Sequence, residues 1–369
     1  MEYGEIVYAC ALNQIFNHRA IISRQLLEHF TFPSEIFSLS RKDLEREIGI
    51  PTIYCEKILD KSLLEWANKE VDWCNKHKVR LIYLKDPDYP YRLKQCIDAP
   101  TILYYKGSCS LNADRVIALV GTRKPSEYSL LYCRKIIKEL STLTPKPLII
   151  SGLAYGIDIN THRESLRLGL DTIGVMGTGI NTIYPRTHRD TAIQMLEHGG
   201  IITDFCTNYP TLPQNFIKRN RIIAGLSDAT ILLESRLGGG GATTAKLAFQ
   251  YNRDVFVLPG TTSDKNFEGS NKLIAENIAS IITSETSTIN ALGWQTGPLN
   301  DGNNHSKTIR DSDSPQKKAI LQTLLSGIPL NSNSIQFITK LSISELSIIL
   351  TELEIENRIV YEHSKYRLI

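Results

Sequence analysis

The chain has 369 residues, of which 42% are hydrophobic and 22% charged, and this composition excludes a disordered chain, a collagen-like chain and a small disulfide scaffold. At about 150 residues per domain, the length predicts two or three domains. The 42 Lys and Arg residues oppose 39 Asp and Glu residues, and the net charge of +3 means that an anionic partner must be met by a local patch.

Seven cysteines are scattered along the chain without a C-x-x-C pair, which argues against disulfides and structural zinc and favours a reducing compartment. The N-terminus lacks the basic start and apolar run of a signal peptide. No stretch approaches the roughly 18 apolar residues of a membrane span. We therefore expect a soluble cytoplasmic protein with no cofactor, no metal and no membrane contact.

The first segment, residues 1–78, is predicted to be a helical domain of the SAM or helix-hairpin-helix type. Within it, Arg46–Pro51 and Glu56–Leu59 indicate short helices joined by an apolar-Gly-apolar turn. Such a turn either presents backbone amides to a phosphate or is an ordinary packing turn, and the packing turn is favoured.

The second segment, residues 79–285, alternates short apolar runs with amphipathic stretches. Continuous apolar runs separated by helices predict a parallel sheet covered on both faces. The expected fold class is α/β, an extended Rossmann-like, doubly wound and mainly parallel sheet. The predicted strands are Val116–Val120, Leu148–Ile150, Thr172–Met176, Gly200–Asp204, Ala229–Leu233, Asp254–Leu258 and Ala279–Ile282. The predicted helices include Ser129–Leu140, Ile157–Gly169 and Thr243–Tyr251.

Residues 286–314 have the Asn, Gly, Ser and Asp content of a linker, and residues 315–369 have the pattern of a winged-helix domain. The predicted helices there are Gln316–Leu325, Ser334–Lys340 and Ser344–Asn357, and the predicted strands are Ile359–His363 and Lys365–Ile369. The third helix carries several Glu residues and no Lys or Arg. Because phosphate repels an acidic helix, we expect this domain to bind protein or to pack on its own chain.

The first predicted strand ends in the turn Gly121-Thr122-Arg123, followed by a helix. In doubly wound sheets, ligands bind beyond the carboxyl ends of the strands. Gly121 allows close backbone approach, and Arg123 can form a bidentate pair with phosphate. A tight turn with a surface Arg has the same pattern, so this motif alone does not distinguish a phosphate-binding site from a structural turn.

The second predicted strand leads into another glycine turn, with Ser151, Gly152, Tyr155 and Gly156. Tyr155 is expected near the mouth of the site. Asp158 and His162 follow on one helix face. They form either an acid–base pair or a pair that stabilises the helix start, and we favour the second interpretation.

The sharpest basic cluster of the chain is Lys218, Arg219 and Arg221, which together with Asn220 follows Phe216. Phosphate contacts from cations and stacking on an aromatic ring are typical of single-strand binders. A solvated helix start is the alternative.

A run of four glycines, which includes Gly239, Gly240 and Gly241, precedes a predicted helix. Four glycines forfeit backbone entropy, so a ligand is expected to approach them closely, and the helix N-terminus favours an anion. The loop is not a P-loop, because no G-K-[ST] follows.

Together these motifs resemble the DNA-processing protein A (DprA/Smf) family. The matching stretches are ALVGTRKPS, ISGLAYGIDINTH, VMGTGINTIYP, FIKRNRIIAGLS, GGGGATTAKLA and RDVFVLPG. One departure is Ile217, since the family usually has F-P-x-R-N-R where this chain has FIKRNR.

The resemblance implies a cytoplasmic, non-catalytic protein of natural transformation that binds and protects incoming single-stranded DNA, works as a homodimer and loads a RecA-type recombinase. By motif match, Arg123 and the Lys218, Arg219 and Arg221 cluster carry the phosphate contacts. The glycine turns shape the pocket, and Tyr155 and Phe216 are candidates for base stacking.

Two rival functions use the same pocket. A LOG-type nucleotide N-glycoside hydrolase requires a glutamate where this chain has Ala245, and Glu234 lies on the wrong side of the glycine loop, which disfavours hydrolysis. A sensor of a free nucleotide differs from the DNA hypothesis only in ligand length. A dinucleotide oxidoreductase is disfavoured because G-x-G-x-x-G is absent after the first strand.

Overall fold

A computed structural model describes residues 3–16, 19–294, 313–325, 330–356, 358–362 and 365–368. The chain divides into two compact units, Met1–Thr296 and Gly297–Ile369. Most of the predicted linker, residues 295–312, lies outside the described residues, and so do Asn357, His363 and Ile369 at the ends of predicted elements. The domain boundaries at residues 78, 285 and 314 stay predictions.

The first unit begins with helices that pack around α1. Their bounds are α1 (Tyr3–Phe16), α2 (Ala20–His29), α3 (Pro33–Phe37), a π-helical turn (Asp43–Glu47), α4 (Thr52–Leu59) and α5 (Lys61–Lys76). The Asp60 carboxylate caps α5 by accepting from the Ser62 amide at 2.9 Å. Buried residues of α1, such as Leu12 and Phe16, belong to the same hydrophobic core as one face of the sheet. The helical region therefore packs directly on the sheet.

A nine-stranded sheet with the order β1-β2-β6-β5-β4-β3-β7-β8-β9 follows. The bounds are β1 (Arg80–Tyr83), β2 (Ile102–Gly107), β3 (Val116–Val120), β4 (Leu148–Ser151), β5 (Thr172–Val175), β6 (Gly199–Thr203), β7 (Ala229–Leu232), β8 (Asp254–Val257) and β9 (Ser280–Ile281). Strands β3 to β9 pair in parallel, whereas β2 pairs antiparallel with both β1 and β6. The predicted α/β class with a mainly parallel sheet is confirmed, and the antiparallel edge is an addition that the sequence analysis missed.

Helices cover both faces of this sheet. Their bounds are α6 (Tyr91–Lys94), α7 (Glu127–Ser141), α8 (Ile157–Arg167), α9 (Arg189–Met195), α10 (Pro213–Leu226), α11 (Gly240–Gln250), α12 (Glu268–Ala275) and α13 (Ser287–Ala291). Alternate residues of β3 enter different cores: Ala118 packs in the core that includes α10 and α11, and Leu119 in the core that includes α7. Burial on both faces explains the continuous apolar runs of the sequence.

The second unit contains α14 (Pro315–Leu324), α15 (Ser332–Thr339), α16 (Ile343–Ile355), β10 (Ile359–Glu362) and β11 (Lys365–Leu368). The two strands pair antiparallel, and the helices enclose a core of their own. Ser342 and Glu345 form a capping box at the start of α16. The elements follow the predicted order, and the assignment as a winged helix stays a prediction.

Within the described ranges, no helix is both long and apolar enough to cross a membrane.

Candidate nucleic-acid interface

A cavity of about 420 Å³ lies beyond the carboxyl ends of β3 and β7. After β3 the chain builds β4, β5 and β6 on one side, and then returns through α10 to place β7 on the other side. This is the point where doubly wound sheets bind ligands. The predicted site residues in the cavity wall are Gly121, Thr122, Arg123, Phe216, Arg219, Asn220, Gly239, Gly240 and Gly241.

The turn after β3 and the start of α11 are in direct backbone contact. A Cβ atom on Gly241 would lie 3.1 Å from the Gly121 Cα and 2.7 Å from the Leu232 Cδ1. A Cβ atom on Gly121 would lie 2.6 Å from the Ile157 Cγ1. A side chain at either position would force its neighbours to shift, so packing favours glycine there, and this contact forms one wall of the cavity.

A buried carboxylate holds the turn that carries Arg123. Glu234 accepts from the Ser126 amide at 2.8 Å and from the Ser126 hydroxyl at 2.7 Å. Ser126 in turn caps α7. Glu234 therefore fixes the loop from Gly121 to Ser126, a role that sequence reasoning missed because the two residues are far apart in the chain.

The N-terminus of α11 opens into the cavity without a side-chain cap. Gly239 is the N-cap residue, and Ala242 donates its amide to the Ser235 Oγ at 3.4 Å. Within the described part of the chain, the Gly240 and Gly241 amides form no hydrogen bond. Free amides at the positive end of a helix dipole favour an anion.

Arg219 reaches the cavity as a buried cation. Its side chain is 4% exposed, Nη1 donates to the Val175 carbonyl, and Nε has no hydrogen-bond partner among the described residues. Burial lowers the pKa of Arg219 to about 10, an effect that Asp158 opposes. Burial also raises the pKa of the Asp158 carboxyl, while Arg219 acts in the other direction. Arg219 therefore stays charged near neutral pH and adds a positive charge to the cavity wall.

Aromatic rings flank the mouth of the cavity. The Arg123 guanidinium carbon lies 5.9 Å from the centre of the Phe216 ring, and the Tyr184 ring centre lies 5.4 Å from that of Phe216. Tyr184 is 50% exposed. The Tyr155 ring packs edge-on against His188 at 4.8 Å, outside the cavity wall. Phe216 and the unpredicted Tyr184 therefore form a half-exposed aromatic pair beside Arg123.

The remaining predicted residues of the second turn support the site from beneath. Ser151 donates its hydroxyl to the Leu119 carbonyl at 2.6 Å. Gly156, with φ of 78°, lies against the Thr122 carbonyl and the Arg123 backbone. A Cβ atom on Gly152 would lie 2.6 Å from the Arg219 Nη1. These residues position the cavity wall.

His162 belongs to the core. Its Nδ1 lies 2.7 Å from the Thr172 Oγ1 and its Nε2 lies 2.6 Å from the Gly152 carbonyl oxygen. Burial lowers the pKa of His162 to about 4. Both ring nitrogens are occupied by structural contacts, so the geometry favours the structural interpretation of Asp158 and His162 over an acid–base pair.

Helix α10 divides the basic cluster between two faces. Arg219 and Asn220 point to the cavity, whereas Lys218 and Arg221 line a separate groove. Arg221 donates to the Asp98 carbonyl and pairs with Asp204. The motif match predicts phosphate contacts from all three cations together, and the structure brings only Arg219 of the three into the cavity.

Further cavity residues were not selected from the sequence. Arg236 is exposed, and its Nε donates to the Asn266 Oδ1 at 2.8 Å. Its position two residues before the glycine run was the available signal. The wall also contains Asp158, which the sequence predicts as a partner of His162, together with Val120, Ala154, Pro213, Ile217, Ile223, Ser235 and Thr244.

A doubly wound sheet whose crossover point carries glycine turns, cations and an open helix N-terminus defines a Rossmann-like fold with a candidate site for an anion. Residues 80–293, more than half of the chain, match the family described as DNA recombination-mediator protein A. The chain belongs to this family, and the resemblance drawn from its motifs is confirmed.

Individual relatives and solved structures are also similar to this chain. Protein Smf from Synechocystis sp. is 32% identical over 303 residues, which are 79% of this chain and 74% of that protein. The X-ray structure of DNA processing protein A from Streptococcus pneumoniae is similar with a TM-score of 0.57 and 26% identity, over 71% of this chain and 96% of that one. DNA processing protein A from Helicobacter pylori, whose structure concerns a single-stranded DNA binding mode, has a TM-score of 0.52 and 26% identity, over 58% of this chain and 98% of that one.

Proposed function

We propose that this protein binds single-stranded DNA at the cavity, with little sequence preference and without catalysis. One observation carries the proposal: the free amides of Gly240 and Gly241, the buried Arg219 and the Arg123–Phe216 pair converge on one cavity. Amides and guanidinium groups bind phosphate, and an aromatic ring accepts any base by stacking. The DNA binding described for the H. pylori relative supports the same assignment.

The preference for a single strand over a duplex follows from the combination of cavity and rings. In a duplex both faces of each base are stacked and the base edges are paired, so Phe216 and Tyr184 have no free base to contact. An unpaired strand can turn a base toward these rings while its phosphates meet Arg123 and the α11 amides.

The absence of catalysis is proposed from the residues that a hydrolase would need. Ala245, at the glutamate position of the LOG-type pattern, is buried in α11. Glu234 is held by Ser126. Neither residue offers a carboxylate to a ligand in the cavity.

We further propose, from the family resemblance, that the protein acts in the cytoplasm as a homodimer in transformation and recombination and loads a RecA-type recombinase. Two measurements test this. The molecular mass of the protein in solution shows whether it is a dimer. The rate at which a RecA-type recombinase assembles on a protein-coated single strand, with and without this protein, reports loading. A monomeric mass, or an unchanged assembly rate, contradicts the corresponding part.

Fluorescence anisotropy of a labelled single strand of about 35 nucleotides, across a salt series, tests DNA binding. We expect Arg123→Glu to weaken binding about tenfold at low salt and to reduce the salt slope by about 0.7, the value for one phosphate contact. Lys138→Glu is the matched control, because it makes the same charge change near the far end of α7, and it should leave binding unchanged.

Three results would contradict the proposal. Equal affinity for duplex and single strand would remove the role of base stacking. A loss in Lys138→Glu as large as in Arg123→Glu would indicate a diffuse charge effect. Failure of the wild-type protein to bind any strand at low salt, together with binding or hydrolysis of a mononucleotide, would favour the sensor or the hydrolase.

A further inference from the structure

A second cavity, a groove of about 540 Å³, lies between the helical region and α10. Helix α2 and the residue before it form one side, and α10 forms the other. We call it the α2–α10 groove. Its wall contains Arg19, Ile21, Ile22, Asp98, Lys218 and Arg221, together with Ala20.

The charge of the α2–α10 groove is positive. Arg19 and Lys218 are exposed, whereas Arg221 is occupied by Asp204 and the Asp98 carbonyl. The Asp98 carboxylate accepts from the Tyr251 hydroxyl at 2.7 Å. The exposed cations therefore outnumber the acidic groups that face solvent here, which is the electrostatic requirement for a phosphate.

A further cation stands beside Arg19. The Arg19 guanidinium carbon lies 5.8 Å from the centre of the Tyr54 ring, and the Lys57 Nζ lies 5.9 Å from it. Tyr54 thus gathers two cations on the helical region next to the groove. Ile21, which is 43% exposed, adds an apolar surface for a sugar or a base.

Helix α10 connects this groove to the cavity. Phe216, Arg219 and Asn220 share the cavity face, and Lys218 and Arg221, three residues apart, share the groove face. Ile217 lies in the cavity wall directly before Lys218 and is 59% exposed. A polymer that leaves the cavity over Ile217 reaches Lys218 next.

We propose that the α2–α10 groove is a second phosphate-binding subsite, in which Arg19 and Lys218 bind the backbone of a strand that has crossed α10 from the cavity. The inference rests on the proposed function and adds the helical region to the DNA-binding surface. Because α10 is about 10–12 Å across with its side chains, a strand must be several nucleotides long to occupy both sites.

Oligothymidylates from about 4 to about 30 nucleotides, measured by anisotropy at fixed salt, test the subsite. Wild-type affinity should rise with length until a strand spans both sites. The double variant Arg19→Glu and Lys218→Glu should match the wild type on the shortest strands and stop gaining affinity at a shorter length. On long strands its salt slope should fall by about 1.4, the value for two phosphates.

Two further variants complete the design. Arg123→Glu should weaken binding at every length. Lys69→Glu, at an exposed position on α5, should leave binding unchanged at every strand length. Binding of the shortest strands also reports that the double variant is folded.

The inference is overturned if the affinities of the double variant and of the wild type depend on strand length in the same way. If Arg123→Glu still weakens binding in that case, the proposed function stays intact. Equal loss at all lengths, or an equal loss in Lys69→Glu, also overturns the inference. If the wild type binds no strand of any length, the proposed function itself fails.

Discussion

Arg219 and Asp158 both approach Gly152 in the interior of the candidate site, without forming an ion pair within 4 Å. A Cβ atom on Gly152 would contact the Asp158 Oδ2 and lie 2.6 Å from the Arg219 Nη1. Both side chains are more than nine-tenths buried. The site therefore holds a desolvated cation that is bonded to a backbone carbonyl and lies near one carboxylate, and a ligand phosphate would add a second anionic group.

Asp158→Asn separates folding from binding. Asp158 is a buried charge that opposes the desolvation of Arg219 without an ion pair within 4 Å, and its loss should lower the free energy of unfolding by about 1–2 kcal/mol. Single-strand affinity should rise several-fold, because phosphate then becomes the main counter-charge of Arg219. Chemical denaturation and anisotropy measure the two effects. Unchanged stability, or weaker binding by the folded variant, would contradict the assigned roles.

Gly240 and Gly241 offer a matched comparison in neighbouring positions. A Cβ atom on Gly241 would be too close to Gly121 and Leu232, so Gly241→Ala should lower the free energy of unfolding by about 1–3 kcal/mol. At Gly240 the nearest atom, the Asn220 Nδ2, is 3.9 Å away, and Gly240→Ala should be neutral or stabilise by about 0.5–1 kcal/mol.

The single-strand affinity of Gly240→Ala tests whether a ligand approaches this loop. If a phosphate approaches the α11 amides, the methyl group of Gly240→Ala obstructs it, and single-strand affinity should fall although stability does not. Full affinity in Gly240→Ala would show that the ligand stays away from the helix N-terminus.

His162 makes stability depend on pH. Its pKa falls from the usual 6.5 to about 4 on folding, so below pH 6.5 the unfolded chain binds a proton that the folded chain excludes until about pH 4. Stability should therefore decrease as the pH falls through this window, by up to about 1.4 kcal/mol per pH unit. Urea denaturation at pH 7 and pH 5 should show a smaller difference for His162→Gln than for the wild type. His29→Gln, at an exposed position, should behave like the wild type.

Arg92 joins three distant segments. It is 2% exposed, pairs with Asp228 at 2.6 Å and 2.9 Å, and donates to the Ala113 and Asp114 carbonyls. Arg92→Met should reduce the free energy of unfolding by about 3–5 kcal/mol, because it leaves a partly buried carboxylate unpaired.

An exposed ion pair supplies the control for Arg92. Arg80 and Asp88 are 2.9 Å apart and both exposed, so Arg80→Met should cost about 1 kcal/mol or less. Thermal or chemical unfolding compares the two variants. Similar losses in both would show that the Arg92 network adds nothing beyond a surface pair.

The sheet from β3 to β9 could be predicted because its strands are short, mostly apolar and followed by helices. Their ends differ from the predicted ones by no more than one residue. Strands β1 and β2 were missed because Pro and Tyr residues surround them and because the pairing of β2 with β6 joins distant parts of the chain. No local pattern records a partner of that kind.

That the glycine turns come together at the candidate site could be predicted for a similar reason: turns after parallel strands meet at one edge of a sheet. Which side chains of the basic cluster face the cavity could not be predicted. Lys218 and Arg219 are neighbours in the sequence. Because of the way α10 packs, Lys218 faces the groove and Arg219 faces the cavity. The support from Glu234 depends in the same way on contacts between distant segments.

The position of β2 imposes an order on folding. Residues 102–107 emerge early in synthesis and can pair with β1 at once, yet their other edge waits for β6, residues 199–203. The bond from the Asn13 side chain to the Asp204 carbonyl also waits for that segment. Until residues 199–203 have been made, β2 therefore presents an open backbone edge to other nascent chains.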